Sequence, residues 1–427
     1  MSKNVCMFVW NHFTNDARVL RECTALSEEG YKVDLICIDD PNDPAVQKYE
    51  ERNENFSVYR VRRYPWSLQQ MQRIYKLCFR RKKIGILAFI LWMFLMYLNP
   101  IIFGTLTLIG LILLKSSKIR ALWIKSNIIV RMIARGFQKK YDIYHSNDLN
   151  TLPQGYMCAK LFRLKRKRLI YDSHEVQTSR TGYDSKLYAI TEKFFINKID
   201  EMIVENHTRA KYNEDLYGFY PHVVHNYPFK QSIQDIAKAP LHKILNLPPD
   251  EKILLYQGGI QAGRGLENLV KAAPLFNKGT LVFIGDGKIK PKLQQMVEEM
   301  NLSDKVKFLP KVPVEELPSY TKNAYLGFQV LNNTNFNHYS ASSNKLFEYM
   351  MAGVPVVACS FPEISKIVLG ENVGICVDSH NINSIAKGTN ILINNDELME
   401  EYTNNCLRSI EKFNWNSEQK SLLNIYR

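Results

Sequence analysis

Short apolar runs alternate with amphipathic stretches along most of the chain, and this rhythm predicts strands that are each followed by a helix. In the first half the predicted strands are Val5–Trp10, Lys32–Ile38, Asp142–His145, Arg168–Asp172, Met202–Val204 and Val223–His225. Asp16–Glu29 has helical spacing and ends at Gly30. Strands that alternate with helices indicate a parallel sheet covered on both faces.

The same rhythm restarts after residues 229–240, which we predict to be a linker between two domains. The strands predicted there are Lys252–Tyr256, Thr280–Ile284, Val306–Leu309, Ala324–Val330 and Val354–Ala358. The helices predicted there are Gly265–Pro274, Lys290–Glu299, Asn344–Met351 and Asn383–Asn394. A length of 427 residues also suits two domains.

The pattern therefore predicts an α/β fold with two doubly wound, Rossmann-like parallel-sheet domains that face a central cleft. In such sheets, ligands bind beyond the carboxyl ends of the strands. We predict an N-terminal domain at 1–228 and a C-terminal domain at 241–405. A last helix, at 406–427, is expected to return to the N-terminal domain.

An apolar insert interrupts the first domain at Ile84–Leu114, where 31 residues carry no charge. A single membrane-spanning helix needs about 20 apolar residues. Asn99-Pro100 divides the insert into two halves, and neither is long enough to span alone. We therefore predict a helical hairpin that dips into one leaflet of a membrane. A single kinked transmembrane helix and a buried core hairpin are the alternatives.

Basic residues surround this insert. Between Arg60 and Lys140 the sequence contains 17 Lys and Arg but no Asp or Glu, and the whole chain has a net charge of +14. A block of one sign indicates an anionic partner, and we see no nucleic-acid-reading motif, so we predict an anionic membrane surface and no nucleic acid. Positive charge on both flanks favours a peripheral or monotopic protein on the cytoplasmic face of the cell membrane.

Composition fits this location. The chain is 46% hydrophobic and 23% charged, as expected of a globular protein. None of the eight cysteines falls in a CxxC pair, so neither a zinc site nor a redox dithiol is predicted. No signal peptide is recognised at the N-terminus, and a reducing cytoplasm is expected.

Three segments of the second half have the chemistry of a phosphate site. Ser343 is placed to cap the helix Asn344–Met351, whose start carries Lys345 and, one turn later, Glu348; helix N-termini attract phosphates. Gly258 and Gly259 begin a loop in which Arg264 offers a guanidinium group. The turn Gly285-Asp286-Gly287 follows a strand and is expected to border the cleft. A plain capped helix and plain loops are the alternatives.

Polar residues also follow two strands of the first half. His145, Asn147 and Asp148 end one strand, and His174 and Glu175 end the next. Because the ends of parallel strands point into the ligand crevice, these side chains are candidates for acceptor binding or acid–base work. Their spacing matches no metal motif, so no metal is predicted.

In combination, these motifs resemble glycosyltransferase family four, which has the GT-B fold. Asn15–Val19 is similar to an acceptor-side loop of a subgroup of this family, and Tyr171–Glu175 to its second strand-end motif. Gly258–Glu267 resembles the donor-phosphate loop and Gly285–Gly287 the GDG turn. Asn344–Val357 resembles the second half of the family's E-x7-E motif, and Phe413–Arg427 its closing helix.

This sequence departs from the family pattern at two places. Ser340 stands eight positions before Glu348, where the first glutamate of E-x7-E is expected. Gly259 stands where the family has an arginine, and Arg264 replaces the loop lysine. Neutralisation of the diphosphate then depends on Arg264, Lys345 and the helix start, and Asn337, His338 or Ser340 could take over from the missing glutamate.

The resemblance implies a retaining transfer from a nucleoside-diphosphate sugar, without metal or other cofactor, to a lipid-linked or glycan acceptor in surface polysaccharide or cell-wall assembly. The predicted catalytic residues are His145, Asp148, His174, Glu175, Arg264 and Lys345. The predicted donor-binding residues are Gly258, Gly259, Arg264, Gly285, Asp286, Gly287, Ser340, Ser343, Asn344, Lys345, Leu346 and Glu348. The predicted acceptor-side residues are Asn11, Asp16, Arg18, His145, Asn147 and His174. A nucleotide-sugar epimerase and a non-catalytic, nucleotide-sugar-binding membrane scaffold are the alternatives.

Overall fold

The computed structural model describes residues 3–162, 164–177, 186–230 and 236–427, and within these ranges the strands form two sheets. Residues 231–235 of the predicted linker lie outside the described residues. The strands of the first sheet are β1 (Asn4–Phe8), β2 (Lys32–Ile38), β3 (Tyr49–Asn53), β4 (Phe56–Val61), β5 (Ile143–Asn147), β6 (Arg168–Ser173), β7 (Glu201–Val204) and β8 (His222–Val223). Those of the second sheet are β9 (Ile253–Gln257), β10 (Thr280–Ile284), β11 (Val306–Leu309), β12 (Ala324–Gln329), β13 (Val356–Cys359) and β14 (Gly374–Val377).

The first sheet has the order β3-β4-β2-β1-β5-β6-β7-β8. Its centre is β1, which pairs in parallel with β2 and with β5, so Val5 lies between Val33 and Ile143. These apolar strands are almost completely buried, as parallel strands with helices on both faces require. Only the pairing of β3 with β4 is antiparallel among the strand pairs described.

The second sheet has the order β11-β10-β9-β12-β13-β14, and all its described pairs are parallel. Two apolar clusters pack on its two faces. Leu254, Phe283 and Phe328 belong to one cluster, and Leu255 and Val282 belong to the other. Alternate residues of each strand therefore supply opposite faces, and the prediction of two parallel-sheet α/β domains is confirmed.

Eighteen α-helices accompany these strands in the described part of the chain. Up to β8 they are α1 (Ala17–Glu28), α2 (Trp66–Arg80), α3 (Lys82–Leu98), α4 (Pro100–Lys115), α5 (Ser117–Gly136), α6 (Leu152–Tyr156), α7 (Lys186–Ile196) and α8 (His207–Tyr217). Beyond it they are α9 (Leu241–Ile244), α10 (Leu266–Ala272), α11 (Lys290–Glu299), α12 (Leu317–Thr321), α13 (Phe336–Tyr339), α14 (Asn344–Met351), α15 (Pro362–Gly370), α16 (Ile382–Ile393), α17 (Asp396–Ser409) and α18 (Trp415–Tyr426). A π-helix at Met157–Leu161 continues α6, and a 3-10 turn at Ala273–Leu275 continues α10.

The chain divides into two compact units. The first unit comprises Met1–Asp172 and Phe194–Glu201, and the second comprises Ser173–Lys193 and Met202–Arg427. Within the second unit α18 is tied to the segment after β8, because Trp415 N donates to Pro228 O at 2.8 Å and Glu418 Oε1 accepts from His225 N at 2.9 Å. The predicted domain boundaries remain predictions.

The apolar insert forms two helices of the first unit, α3 and α4, separated at Asn99. The Asn99 side chain accepts a hydrogen bond from Ile102 N and so caps α4, and Pro100 takes its first turn. Trp92 Nε1 donates to Thr107 Oγ1 at 2.9 Å, so the two helices run side by side in opposite directions. Neither helix contains a single buried residue.

Among the described residues, no single helix is both long and apolar enough to span a membrane, whereas α4 and α5 together have the length and composition for it but are bent by 96°.

Candidate active site

A cavity of about 690 Å³ opens in the second unit. The ends of β9 and β10 and the start of α14 contribute to its wall. The residues that line it are Glu175, Arg209, Asn226, Gln257, Gly258, Gly259, Arg264, Ile284, Gly285, Asp286, Lys311, Val312, Val314, Leu317, Leu331, Asn337, His338, Ala341, Ser342, Ser343, Asn344, Lys345 and Glu348. The structure therefore brings most of the predicted donor-binding residues to one place.

Lys345 lies in the first turn of α14 and is only 7% exposed. Its Nζ donates to Tyr256 Oη at 3.2 Å and lies 4.2 Å from the centre of the Tyr256 ring. Burial and the nearby Arg264 guanidinium lower the pKa of Lys345 to about 7, although Glu348 and Cys359 act in the opposite direction. An anion between the two cations would restore the charge of this amine.

Arg264 is half-buried in the loop between β9 and α10. Within the described part of the chain, no hydrogen bond or ion pair is formed by its guanidinium group. The positive charge of Arg264 contributes to the lowered pKa values of Lys345 and His338. Two cations that line the same cavity suit a ligand with two negative charges.

Glu348 stands one turn after Lys345 on α14. Gln257 Nε2 donates to Glu348 Oε2 at 2.7 Å, and Thr321 Oγ1 donates to Gln257 Oε1 at 2.8 Å. Burial raises the pKa of Glu348, although the Gln257 hydrogen bond and Lys345 hold it down. These two hydrogen bonds hold the Glu348 carboxylate against the wall of the cavity and leave its Oε1 available to a hydroxyl group.

The start of α14 also faces the cavity. Ser343 occupies the N-cap position, but its side chain makes no capping hydrogen bond. Ser343 therefore stands at the predicted N-cap position but does not supply the expected capping bond. A helix start without a side-chain cap keeps its N–H groups and partial positive charge for another acceptor. Leu346, which was predicted to bind the donor, is fully buried in the core on the other side of the helix start.

The glycine loops cross each other at the edge of the cavity. Gly258 N donates to Ile284 O at 2.9 Å, and Ile260 N donates to Asp286 O at 2.9 Å. Asp286 is exposed, and its hydrogen bonds from the Lys290 side chain and the Lys311 N–H hold the pKa of its carboxyl below the usual value. The turn 285–287 is thus rigidly joined to the loop that begins at Gly258.

Gly285 cannot carry a side chain in this arrangement. Its φ is +151°, and a Cβ atom would lie 2.0 Å from Gly258 O. We expect Gly285→Ala to lower the free energy of unfolding by about 2 kcal/mol, because the two loops would have to separate. Urea denaturation measures this. Gly370→Ala is the matched control, since a Cβ there meets nothing within 4 Å; equal stabilities of the two variants would contradict the steric argument.

Ser340 does not line the cavity, so its side chain is not available to bind the donor sugar. It is fully buried, its Oγ accepts from Arg209 Nε at 3.2 Å, and its carbonyl accepts from Asn206 Nδ2 at 2.7 Å. Asn337 is bound in both directions to the backbone of Val176. Of the three substitutes considered for the missing glutamate, His338 alone presents a ring to the cavity beside Arg264, and burial together with that guanidinium lowers its pKa.

Glu175 lines the same cavity, although it was predicted from the first-half strand ends. It lies close enough to act on the pKa of His338. His174 belongs to the same segment and its carbonyl accepts from Arg209 Nη1 at 2.5 Å. Arg209 and Gln257 were missed by sequence reasoning. Arg209 stands in no recognisable motif, whereas Gln257 ends β9 and directly precedes Gly258 in the glycine-rich loop, where it was given no role.

The remaining predicted residues lie in the first unit. Arg18 donates to both oxygens of Asp172 at 2.9 to 3.0 Å, and its Nε lies 3.0 Å from Glu22 Oε1. His145 Nε2 is 3.8 Å from Glu22 and 3.9 Å from Asp172, and its side chain is fully buried. Glu22, His145 and Asp172 have the spacing of a metal-binding group among the described residues, but Arg18 already binds both carboxylates.

The other acceptor-side candidates have similar roles in the fold. Asp16 caps α1 by accepting from Val19 N at 3.1 Å, and it also accepts from Asn11 Nδ2 at 2.7 Å. Asn147 Nδ2 donates to Phe8 O at 3.0 Å. Asp148 has a positive φ of 63° and bonds through its N–H to Asp172 O. Their contribution to catalysis remains a prediction.

The sequence matches a known family over this second unit. Residues 237–408 match the family Glycosyl transferases group 1. An uncharacterised glycosyltransferase of Methanocaldococcus jannaschii is 24% identical over 67% of this chain and 75% of the relative.

Several solved structures share the fold. Sucrose-phosphate synthase from Thermosynechococcus elongatus is 17% identical with a TM-score of 0.72, over 100% of this chain and 98% of that one. Anabaena Alr3699/HepE in complex with UDP-glucose is 13% identical with a TM-score of 0.68, over 99% of both chains. WaaG, a glycosyltransferase involved in lipopolysaccharide biosynthesis, is 11% identical with a TM-score of 0.63, also over 99% of both.

These likenesses confirm the predicted GT-B class of fold, with two Rossmann-like domains. The family match and the relatives confirm the prediction that the chain is an enzyme of the glycosyltransferase class.

Proposed function

We propose that this enzyme transfers a sugar, with retention of anomeric configuration, from a nucleoside-diphosphate sugar to a membrane-presented, lipid-linked acceptor. The observation that carries the donor part is the placement of Arg264, Lys345 and the uncapped start of α14 around one cavity. Anabaena HepE binds UDP-glucose on the same fold, which supports this class of donor.

In the proposed mechanism, the protein stabilises the charge that grows on the leaving diphosphate. Arg264 supplies a fork of N–H donors, Lys345 a point charge, and the first turn of α14 its N–H groups. Glu348 accepts hydrogen bonds from the ribose hydroxyls, and His338 with Glu175 lies beside the sugar. A diphosphate oxygen takes the proton of the acceptor hydroxyl, so no metal or strong protein base is needed for the transfer.

The acceptor part rests on the apolar insert of the first unit. Helices α3 and α4 expose large apolar side chains along their whole length, among them Phe89, Phe94, Tyr97 and Ile101. Soluble proteins rarely expose an apolar patch of this kind, whereas burial of such a patch in a lipid bilayer is favourable. At about 1.5 Å per residue each helix is about 25 Å long, which is shorter than the hydrocarbon core, so the pair enters from one side only.

We therefore place the enzyme on the cytoplasmic face of the cell membrane, where it extends a lipid-linked glycan for surface polysaccharide or cell-wall assembly. The involvement of WaaG in lipopolysaccharide biosynthesis supports this pathway class. The basic flanks of the insert would lie against anionic head groups.

Two measurements test the function. A thermal-shift screen of nucleotide sugars identifies the donor, because a ligand of the native state raises the melting temperature. The selected donor, radiolabelled, is then incubated with membrane lipid extract. We expect label in the lipid fraction and release of nucleoside diphosphate only when acceptor is present. The chelator EDTA should not inhibit the transfer. Conversion of the donor sugar without acceptor would instead indicate an epimerase.

Donor affinity should depend on pH through Lys345. Its amine titrates at about pH 7 in the free enzyme, facing Arg264, Tyr256, Glu348 and Cys359, and the bound diphosphate requires the protonated form. Below pH 7 affinity should be flat; above it, affinity should fall about tenfold per pH unit, because binding must then take up a proton. Calorimetry in buffers of different ionisation enthalpy measures this. Lys345→Arg should remove the slope, and proton uptake that persists in this variant would contradict the assignment.

A further inference from the structure

Helix α5, which follows the insert, is oriented at a large angle to α4. Helix α5 is bent by 96° from α4, with only Ser116 between them. If α4 enters the bilayer along the membrane normal, α5 must lie almost parallel to the membrane plane. Its 20 residues then extend for about 30 Å along the surface.

The outer side of α5 is apolar. Ile119, Leu122 and Val130 follow each other at helical spacing, and they are 44%, 66% and 62% exposed. The opposite side of the helix, with Ile128 and Met132, is buried in the first unit. An amphipathic helix normally presents a polar outer face to water, so this apolar stripe is unexplained by packing within the unit.

The stripe continues beyond the end of the helix. Phe137 caps α5, and its ring lies 6.3 Å from that of Phe162, which follows the π-helix of the same unit. Phe162 is 59% exposed, and Leu164, two positions later, is fully exposed. Two separate parts of the sequence thus supply one apolar surface.

The charges around this surface are positive. Lys118 and Lys125 are exposed beside the stripe on α5, and Lys165 and Arg166 are exposed beside Leu164. No acidic residue occurs on α5. Apolar side chains flanked by Lys and Arg are the composition of a segment that lies at the interface of an anionic bilayer.

We propose that Ile119, Leu122, Val130, Phe162 and Leu164, here called the α5 surface, form a second contact with an anionic phospholipid membrane, lying flat in its head-group region. The inference rests on the membrane anchoring by α3 and α4 proposed above. Two contacts at right angles fix the tilt of the first unit relative to the membrane plane, whereas the paired helices alone would leave that tilt variable.

Site-specific labelling tests the geometry on the full chain. The background carries Cys78→Ser and Cys376→Ser, because the other six cysteines are buried. An environment-sensitive fluorophore is attached to Val130→Cys, Leu164→Cys, Tyr97→Cys or Glu28→Cys, all exposed positions. Each protein is mixed with vesicles of phosphatidylcholine and phosphatidylglycerol that contain a lipid spin label, either near the head group or near the chain end.

We expect labels at 130 and 164 to be quenched by the shallow spin label, the label at 97 by the deep one, and the label at 28 by neither. Quenching at 97 with none at 130 and 164 would overturn the α5 surface and leave the helix-pair anchor intact. Quenching at 130 and 164 by the deep label alone would overturn the in-plane orientation. Absence of quenching at 97 as well would overturn the anchor and the inference together.

A second measurement needs no label. Leu122→Ser with Leu164→Ser should lower the partition coefficient onto these vesicles at least about tenfold, because two large apolar side chains lose their partial burial among the head groups. The matched control is Leu216→Ser with Leu369→Ser, two exposed leucines of the second unit. Equal partitioning of the two double variants would contradict the proposal, and an unchanged thermal shift with donor verifies that both fold.

Discussion

Replacing both Arg264 and Lys345 with alanine should lower the rate of sugar transfer at least about a thousandfold. Each cation faces the proposed diphosphate position, and removal of one fixed donor from such a site typically costs a factor of about 10² to 10³. The loss should appear both in donor affinity, because the two charges hold the bound diphosphate, and in kcat, because the charge on the diphosphate increases in the transition state. Single-turnover transfer of radiolabelled sugar at saturating donor measures the loss in kcat.

The control variant removes the same two charges elsewhere in the second unit. Lys271 and Lys278 are exposed and do not line the cavity, so Lys271→Ala with Lys278→Ala should leave transfer within about twofold of the wild-type rate. Comparison of the two double variants separates a local effect on the diphosphate from a change in net charge. Wild-type turnover in the Arg264, Lys345 variant would remove the donor-site assignment.

The parts of this site that the sequence predicted correctly are those where local rules and burial agree. Thr280–Ile284, Val306–Leu309 and Asn344–Met351 have the predicted bounds, because apolar strands and turn residues define their ends without tertiary context. The edge strand β3, with the sequence YEERN, was missed. It is charged and exposed, and only its pairing with β4 makes it a strand.

The errors at the site have a different origin. A serine before a helix predicts a cap, but local sequence does not tell where the side chain points, and Ser343 makes no such bond. Ser340 was considered as a substitute for a glutamate, yet it is held by Arg209, a residue 131 positions away. The C-terminal segment was predicted as one helix; Asn414 instead caps a separate helix, α18, by accepting from Ser417 N. Of these three cases, only that of Ser340 is decided by a partner distant in sequence.

Deleting Ile84–Leu114 should move the enzyme from the membrane pellet to the soluble fraction while donor binding stays unchanged. The hydrogen bond between Trp92 and Thr107 shows that α3 and α4 run antiparallel, so both ends of the insert lie at the same end of the pair and a short linker can join Lys83 to Lys115. More than ten large side chains lose contact with lipid, and each contributes about 1.5 to 3 kcal/mol when fully buried. The free energy of membrane binding lost in this way is far larger than the attraction between the basic flanks and the head groups can offset.

Salt distinguishes the two sources of membrane affinity. The wild-type chain should stay in the pellet at high ionic strength, because lipid burial of α3 and α4 does not depend on salt. Attraction between basic side chains and anionic head groups, in contrast, weakens as added salt shortens the Debye length. The deletion variant should retain only weak binding to anionic vesicles at low salt, through the remaining basic residues and the α5 surface. Its thermal shift with donor should equal that of the wild type, because the cavity belongs to the second unit. Unchanged pelleting of the deletion variant at high salt would show that the insert is not the anchor.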